Sequence, residues 1–458
     1  MEVRNMNTLG IDIGTTSICM VVYDGEQKKI LISGSAPNAF LQGGFRQDAD
    51  EIVRKVQNLL KEVSGIPFDA VGISTQMHGI VYVNGKGEAV TPLYTWKEEC
   101  GDLPFRGKES YAEYLSRTTG YPMYTGYGSV THFYLQETEK IPADAQGFVD
   151  IGDYLAMRLT GSALRGVNES LAASFGGFDL KSGRFDFEAF QKAGVDTRFY
   201  PEICPWEKAA GFYEGKPVFA AVGDNQASFL GAVRNPETGI SVNVGTGSQV
   251  SVFTRRLCAE AAKSGTDIRP FPGGGYLYVG ASLNGGKVYE RLAAFFAEVC
   301  GRFTGTEPDL FNIYEKMYDI AGQKKATDLK ARPALYGRRG GVENREMSGF
   351  LGLTDENFHP ADLIRSYVHG MAEEFAGLYE AFPEEIKEGR NSLTASGNGL
   401  RRNAILWEEV EKVFALPLIF SGYEEEAAAG AAYAGARAMV TMKQVGLNVA
   451  SDPLMSLN

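Results

Sequence analysis

The chain has 458 residues, 44% hydrophobic and 22% charged, and Lys+Arg 45 against Asp+Glu 57 gives a formal net charge of −12. That length favours two large domains over one core, and the acidic balance argues against a general nucleic-acid or anionic-membrane surface. It leaves open a nucleotide held by backbone N–H groups, helix N-termini and Mg²⁺.

From the N-terminus, residues 9–12, 17–23 and 30–36 alternate as three strands, with Asp24-Gly25 turning the second into the third. Asp48 caps a helix running to Val63, with Ile52, Val53, Val56, Leu59, Leu60 and Val63 on one face. A fourth strand at 70–74 completes a βββαβ unit and delivers Gln76-Met77-His78-Gly79 to its end, where open α/β sheets place ligands. Residues 81–90 read as a hairpin turning at Asn84-Gly85. From Pro92 to Pro217 the signals suggest an insertion with helices at 110–118, 129–139 and 153–159. A strand at 217–222 leads into Gly223-Asp224-Asn225-Gln226 and a helix to 233, which Asn235-Pro236 breaks. This predicts domains at 1–236 and 237–458.

The second half repeats the theme. Strands on either side of Gly245-Thr246-Gly247-Ser248 form a hairpin, and a strand at 276–279 precedes a helix that Asn284-Gly285-Gly286 opens. A long helix at 360–382 follows, then a strand at 393–395 leading into Ser396-Gly397-Asn398-Gly399. Next come a helix at 403–414, a strand at 418–421 and a helix at 424–439. The Ala/Gly run at 427–440 is too short to span a bilayer and contains Arg437. Cys19, Cys100, Cys204, Cys258 and Cys300 form no CxxC, which fits neither a disulfide framework nor a zinc site and suits a reducing cytoplasm.

Two Gly/Thr turns, one at Gly14-Thr15-Thr16 and one at Gly245-Thr246-Gly247-Ser248, can each direct N–H groups at an anionic oxygen. An ordinary tight turn is the plain alternative for either alone; the pair suggests two lobes clamping one phosphorylated ligand. Asp12 beside the first turn would repel phosphate unless it held Mg²⁺ or a metal-bound water. Asp224, between a strand and a helix, is a cap by default and a general base toward a hydroxyl attacking a γ-phosphate by function. Gln76, Met77 and His78 suit hydroxyl recognition. Trp96 with Glu98 pairs an apolar plate with a carboxylate, as sugars require. Gly397-Asn398-Gly399, with Arg402 and Asn403, would bring backbone against a flat ring. His132 and Lys287 fit solvated or capping positions, His359 a loop and His369 a helix face.

These residues resemble the FGGY carbohydrate kinases, of the actin/hexokinase fold class, over about 8–436. LGIDIGTTS (9–17) resembles the family's first phosphate motif, VNVGTGS (242–248) the second, and ASGNGLRRNAILWEEVEKVFALPL (395–418) the adenosine motif. GDNQA (223–227) is similar to the segment with the family's catalytic Asp, which gives Asp224 that role and Asp12 the metal-linked one. The resemblance implies two ribonuclease-H-like α/β lobes with an active-site cleft between them, ATP and Mg²⁺ as cofactors, and a cytoplasmic enzyme, with a homodimer allowed. It implies transfer to the terminal primary hydroxyl of a ketose, with sedoheptulose first and D-xylulose or another ketose or polyol as the alternative. TGYPMYTGYGSVTHFYLQ (119–136), GDYLAMRLTG (152–161) and GASLNGGKV (280–288) carry the preference for sedoheptulose. A sugar sensor on a kinase scaffold would be expected to add a DNA-binding segment, and a chaperone ATPase a peptide-binding domain. One departure stands out: Trp96-Lys97-Glu98-Glu99-Cys100 replaces the family's Trp-Asn/Gln-Asp with an Arg close behind.

Overall fold

The computed structural model describes residues 6–63, 65–163, 165–258, 266–306, 308–336 and 348–445. The chain divides into two compact units. One comprises Met1–Gly231, Arg269–Gly275 and Tyr423–Asn458; the other comprises Ala232–Ile268 and Tyr276–Gly422. The division near 231 lies close to the expected boundary at 236. Residues 423–445, assigned from sequence to the second domain, pack instead with the first.

The first unit is built on a seven-stranded sheet. Its order is Ala209–Tyr213, Lys216–Phe219, Ala70–Thr75, Asn7–Ile13, Ser17–Asp24 and Lys29–Pro37, with Val222–Gly223 also paired to Ala70–Thr75. The last three form an antiparallel meander, and Asn7–Ile13 runs parallel to Ala70–Thr75. Strand alternation divides the side chains between two faces. Leu9, Ile11, Ile13, Ile18, Met20 and Val22 join the core of helix Ala49–Val63, whose buried residues include every one expected from its periodicity. Cys19, Val21 and Tyr23 face Ala428 and Ala432 of the C-terminal helix Glu426–Gln444.

Helices Tyr111–Thr119, Gly128–Glu137 and Ile151–Thr160 occupy the insertion close to their expected positions. The hairpin expected at 81–90 is only partly formed. Its turn closes through Val90 N–H donating to Tyr82 O, but strand Val81–Val83 takes Gly147–Val149 of the insertion as its ladder partner.

In the second unit, five consecutive strands run in the order Tyr276–Ser282, Ser248–Thr254, Gly239–Val244, Ser392–Ser396 and Leu418–Phe420. The first three are antiparallel, and the last two run parallel to Gly239–Val244 and to each other. This repeats the pairing pattern of the first sheet. Helices Gly286–Thr304, Pro360–Glu380 and Ala404–Phe414 contribute to its core around Val242, Val250 and Phe375. Helix Leu310–Gly322 was not anticipated from the sequence. Among the described residues no helix is long and apolar enough to cross a membrane.

Candidate active site

Strand register explains why distant residues meet in the first unit. Asp12 stands opposite Ser74, and Ser74 opposite Val222. Three neighbouring parallel strands therefore end together, placing Asp12, Gln76-Met77-His78 and Asp224 along one sheet edge. This is where open α/β sheets accept ligands. Asp224 opens helix Asp224–Ala232 rather than capping it from outside, and its Oδ1 accepts from Asn225 Nδ2 at 3.0 Å.

Asp12 accepts a hydrogen bond from Ser74 Oγ at 2.8 Å. Burial, then the charge of Asp224 and, less, that of Glu425 push its carboxyl up to about 7, against the Ser74 hydrogen bond. Glu425, just before the C-terminal helix, is a carboxylate that sequence reading missed. Alternation places Asp12 on the same sheet face as Gly10, toward that helix. An edge crowded with negative charge suits a divalent cation, which favours the ionised form. Among the described residues no three His, Cys, Asp or Glu side chains are arranged to hold an ion directly.

The first Gly/Thr turn is tied to the residues expected to read sugar. Trp96 Nε1 donates to Thr15 Oγ1 at 2.9 Å, and Thr15 Oγ1 donates to Gln76 Oε1 at 3.3 Å. Gln47 donates to Thr15 O at 2.7 Å and accepts from Gln76 Nε2 at 2.9 Å, while Asn38 donates to Gly14 O at 3.0 Å. Asn38 and Gln47 escaped sequence reading because nothing local marks them. Gly14 N–H donates to Ser17 O within the turn, so that amide is already engaged.

His78 adopts φ 75°, rare for a residue with a side chain. Its amide donates to Ser174 Oγ at 3.0 Å, and its Nδ1 lies 2.6 Å from Ser174 O. A carbonyl only accepts, so Nδ1 carries the proton. The ring stacks on Tyr127 with centroids 4.6 Å apart. Met77 is buried, with Sδ 3.7 Å from Arg269 Nη1.

Glu98 is held by a bidentate pair, with Arg46 Nε and Nη2 at 3.1 and 3.0 Å from its two oxygens. The departure at 96–100 thus has an arginine after all, from strand Arg46–Gln47. Lys97 lies over the rings of Phe40, Phe45 and Trp96, at 5.4, 6.0 and 5.2 Å from their centroids.

In the second unit the turn after strand Gly239–Val244 is closed by Gly245 N–H donating to Gly247 O, and Thr246 is exposed at its tip. The N-terminus of helix Gly286–Thr304 packs behind it, with Gly286 N–H donating to Gly245 O at 2.8 Å and Lys287 N–H to Thr246 O at 3.2 Å. Lys287 Nζ sits 4.3 Å from the centroid of Tyr336. Gly397, at φ 82°, lies so close to Val244 that a Cβ there would stand 2.5 Å from its carbonyl oxygen. The short helix Asn398–Arg401, with Gly399, therefore adjoins the phosphate-type turn, and Arg402 is exposed beside it.

Two residues expected at the nucleotide also hold the local fold. Ser248 Oγ donates to Asn284 O at 3.0 Å, and Asn403 Oδ1 caps helix Ala404–Phe414 by accepting from Leu406 N. His132 is also corrected. It is fully buried rather than solvated, its Nε2 donating to Asp196 O at 2.8 Å and Nδ1 accepting from Tyr82 Oη at 2.6 Å, and burial pushes its pKa down to about 4.

Residues 7–231 match the family described as FGGY family of carbohydrate kinases, N-terminal domain. The mouse (Mus musculus) sedoheptulokinase is 26% identical to this chain, covering 93% of it and 96% of the mouse protein. A xylulose kinase of Streptomyces rubiginosus is also 26% identical, over 62% of each chain. Among solved structures, ligand-bound xylulose kinase from Lactobacillus acidophilus superposes with a TM-score of 0.76 at 20% identity, covering 97% of this chain and 90% of that one.

Proposed function

The chain belongs to the FGGY family of carbohydrate kinases, and from that premise we propose that it transfers the γ-phosphoryl group of ATP to the terminal primary hydroxyl of sedoheptulose. The observation that carries this reading is the register that aligns Asp12, Gln76-Met77-His78 and Asp224 on one sheet edge. Asp224 takes the proton of the sugar hydroxyl as its oxygen attacks phosphorus, and the bond to the β-phosphate oxygen breaks to release ADP. Asp12 would hold Mg²⁺, which supplies charge neutralisation for the phosphates when bound. The amides of Thr15, Thr16, Thr246 and Gly247 are the donors assigned to phosphate oxygens. Gly397, Gly399 and Arg402 are assigned to the adenosine, the glycines by close backbone approach.

Trp96 presents an apolar face to the sugar, while Glu98, fixed by Arg46, accepts from its hydroxyls. Gln76 and His78 line the same wall. The preference for sedoheptulose rests on the three sequence stretches noted above and on the near full-length similarity to a protein named for that sugar.

The test is ADP release with MgATP over a panel of ketoses and polyols. Sedoheptulose should exceed D-xylulose in kcat/KM by at least ~10-fold, about 1.4 kcal/mol of transition-state binding. Asp224→Asn should lower kcat by at least ~10² with little change in ATP affinity. Equal or better turnover of D-xylulose would reassign the sugar, and near wild-type turnover by Asp224→Asn would remove the base.

A further inference from the structure

The stretch at 152–161 carries family resemblance but supplies nothing to the chemistry above. Its packing ties it to the strand that delivers Asp224. Asp150 caps helix Ile151–Thr160 by accepting from Asp153 N at 2.9 Å. Asp153 Oδ1 in turn accepts the amide of Ala221 at 2.9 Å, three residues before Asp224. Two residues further along, Gly223 N donates to Ser170 Oγ at 3.2 Å. Between these anchors Gly152 lies so near the strand that a Cβ would stand 2.6 Å from that of Ala221. The 221–223 backbone is thereby fixed to helix and loop side chains, and through Val222 and Gly223 to strand Ala70–Thr75.

The two carboxyl groups are an unusual choice for this task. Asp150 and Asp153 are 1% and 3% exposed, and Oδ2 of each is buried without another hydrogen-bond partner. Among the described residues no cation lies within ion-pair distance of either. Two bare carboxylates cannot both persist there, whereas one proton between them serves both orphaned oxygens. Burial, and then the charge of Asp150, hold the Asp153 carboxyl well above its ordinary range. Asp150 is raised by burial and lowered by its hydrogen bond with Asp153. The other titratable group acting on Asp153 is Cys204, whose thiol burial also pushes up, so it stays neutral.

We propose that Asp153, kept neutral by a proton shared with Asp150, is a positioning residue that sets Asp224 through the 221–223 backbone, with Ser170 as the second anchor. The proposal rests on Asp224 as the base. Asp153→Asn preserves the acceptor for Ala221 N and replaces the shared proton with a permanent donor. Asp153→Ala removes both.

The test compares the full-length wild type, Asp153→Asn, Asp153→Ala and Ser170→Ala by kcat against pH and by hydrogen exchange of the 221 and 223 amides. Asp153→Asn should retain kcat within about threefold at neutral pH, since one hydrogen bond replaces another. Wild-type kcat should fall at alkaline pH as the shared proton is lost and two carboxylates face each other, and Asp153→Asn should lack that decline. Asp153→Ala should lower kcat by up to ~10² at unchanged KM for ATP, as misplacement of a reacting group does. The wild-type 221 amide should lose protection at alkaline pH and the Asn variant should keep it.

The proposal is overturned if Asp153→Asn is as impaired as Asp153→Ala, or if wild type and Asp153→Asn share one alkaline limb and one exchange profile. Should Asp153→Ala not fold, the contrast between wild type and Asp153→Asn decides. Exchange does not depend on turnover. A pH contrast in exchange with no phosphorylation of any sugar would overturn the kinase chemistry while leaving the shared proton in place.

Discussion

Arg46 reaches Glu98 across 52 residues of chain and meets both carboxylate oxygens. Its side chain is 43% exposed and that of Glu98 13%, so the pair contributes no more than about 1 kcal/mol to stability. Its value is geometric, because a bidentate guanidinium fixes the plane of the carboxylate and leaves outward lone pairs for hydroxyls. Arg46→Gln and Glu98→Gln should each lower kcat/KM for the sugar by ~10-fold or more while leaving KM for ATP within about twofold. The double variant should be little worse than the poorer single one, since the two act as a unit. Full additivity in a double-mutant cycle would separate them. Sequence could propose Glu98 as a sugar contact, because Trp96 stands beside it, but it carried no sign of Arg46, whose pairing with Glu98 exists only through folding. Asn403 shows the opposite difficulty. The same short amide that could contact a ligand is also a good helix cap, and the cap is what the fold uses.

At the scale of elements, period-two alternation was enough to find the main strands of both sheets, because each has one face against a helix. The partner of each face was less legible. The C-terminal helix is so rich in Ala and Gly that its pattern specifies no single apolar stripe, and nothing local says that it returns to the first sheet. Its fit depends on missing side chains. A Cβ at Gly72 would fall on the carbonyl oxygen of Ala431, and one at Gly10 on that of Ala428. These contacts are with backbone, which cannot rotate aside as a flexible side chain would. Gly72→Ala should therefore destabilise the protein by roughly 1–3 kcal/mol or more, read as a lower urea midpoint. Gly44→Ala is the control, since nothing lies within 4 Å of its added methyl and its effect should stay within about 0.5 kcal/mol. Equal midpoints for the two variants would contradict the close approach of helix and sheet.

For the whole molecule, the repeated strand order was visible in sequence only as a recurring theme. Two antiparallel hairpin steps followed by parallel strands appear in both sheets, yet insertions of different length hide the correspondence. The roles proposed above divide between the two units. The carboxylates Asp12, Asp224 and Glu425 and the residues assigned to sugar all lie in the first unit. The 245–248 turn, helix Asn398–Arg401 and the start of helix Gly286–Thr304 all lie in the second. AMP carries the adenosine and one phosphate but no transferable group, so it can report the second set alone. At saturating AMP without sugar, hydrogen exchange should slow at 244–248 and 397–401, and remain as in the free protein at 46–47 and 76–78. Sedoheptulose without nucleotide should give the reverse. A bound ligand slows exchange only where it stabilises the closed amide against local opening, with protection growing as RT ln(1 + [L]/Kd). AMP-dependent protection confined to 46–47 and 76–78 would show that the adenosine is held by the first unit, and the assignment of Gly397, Gly399 and Arg402 would fall with it.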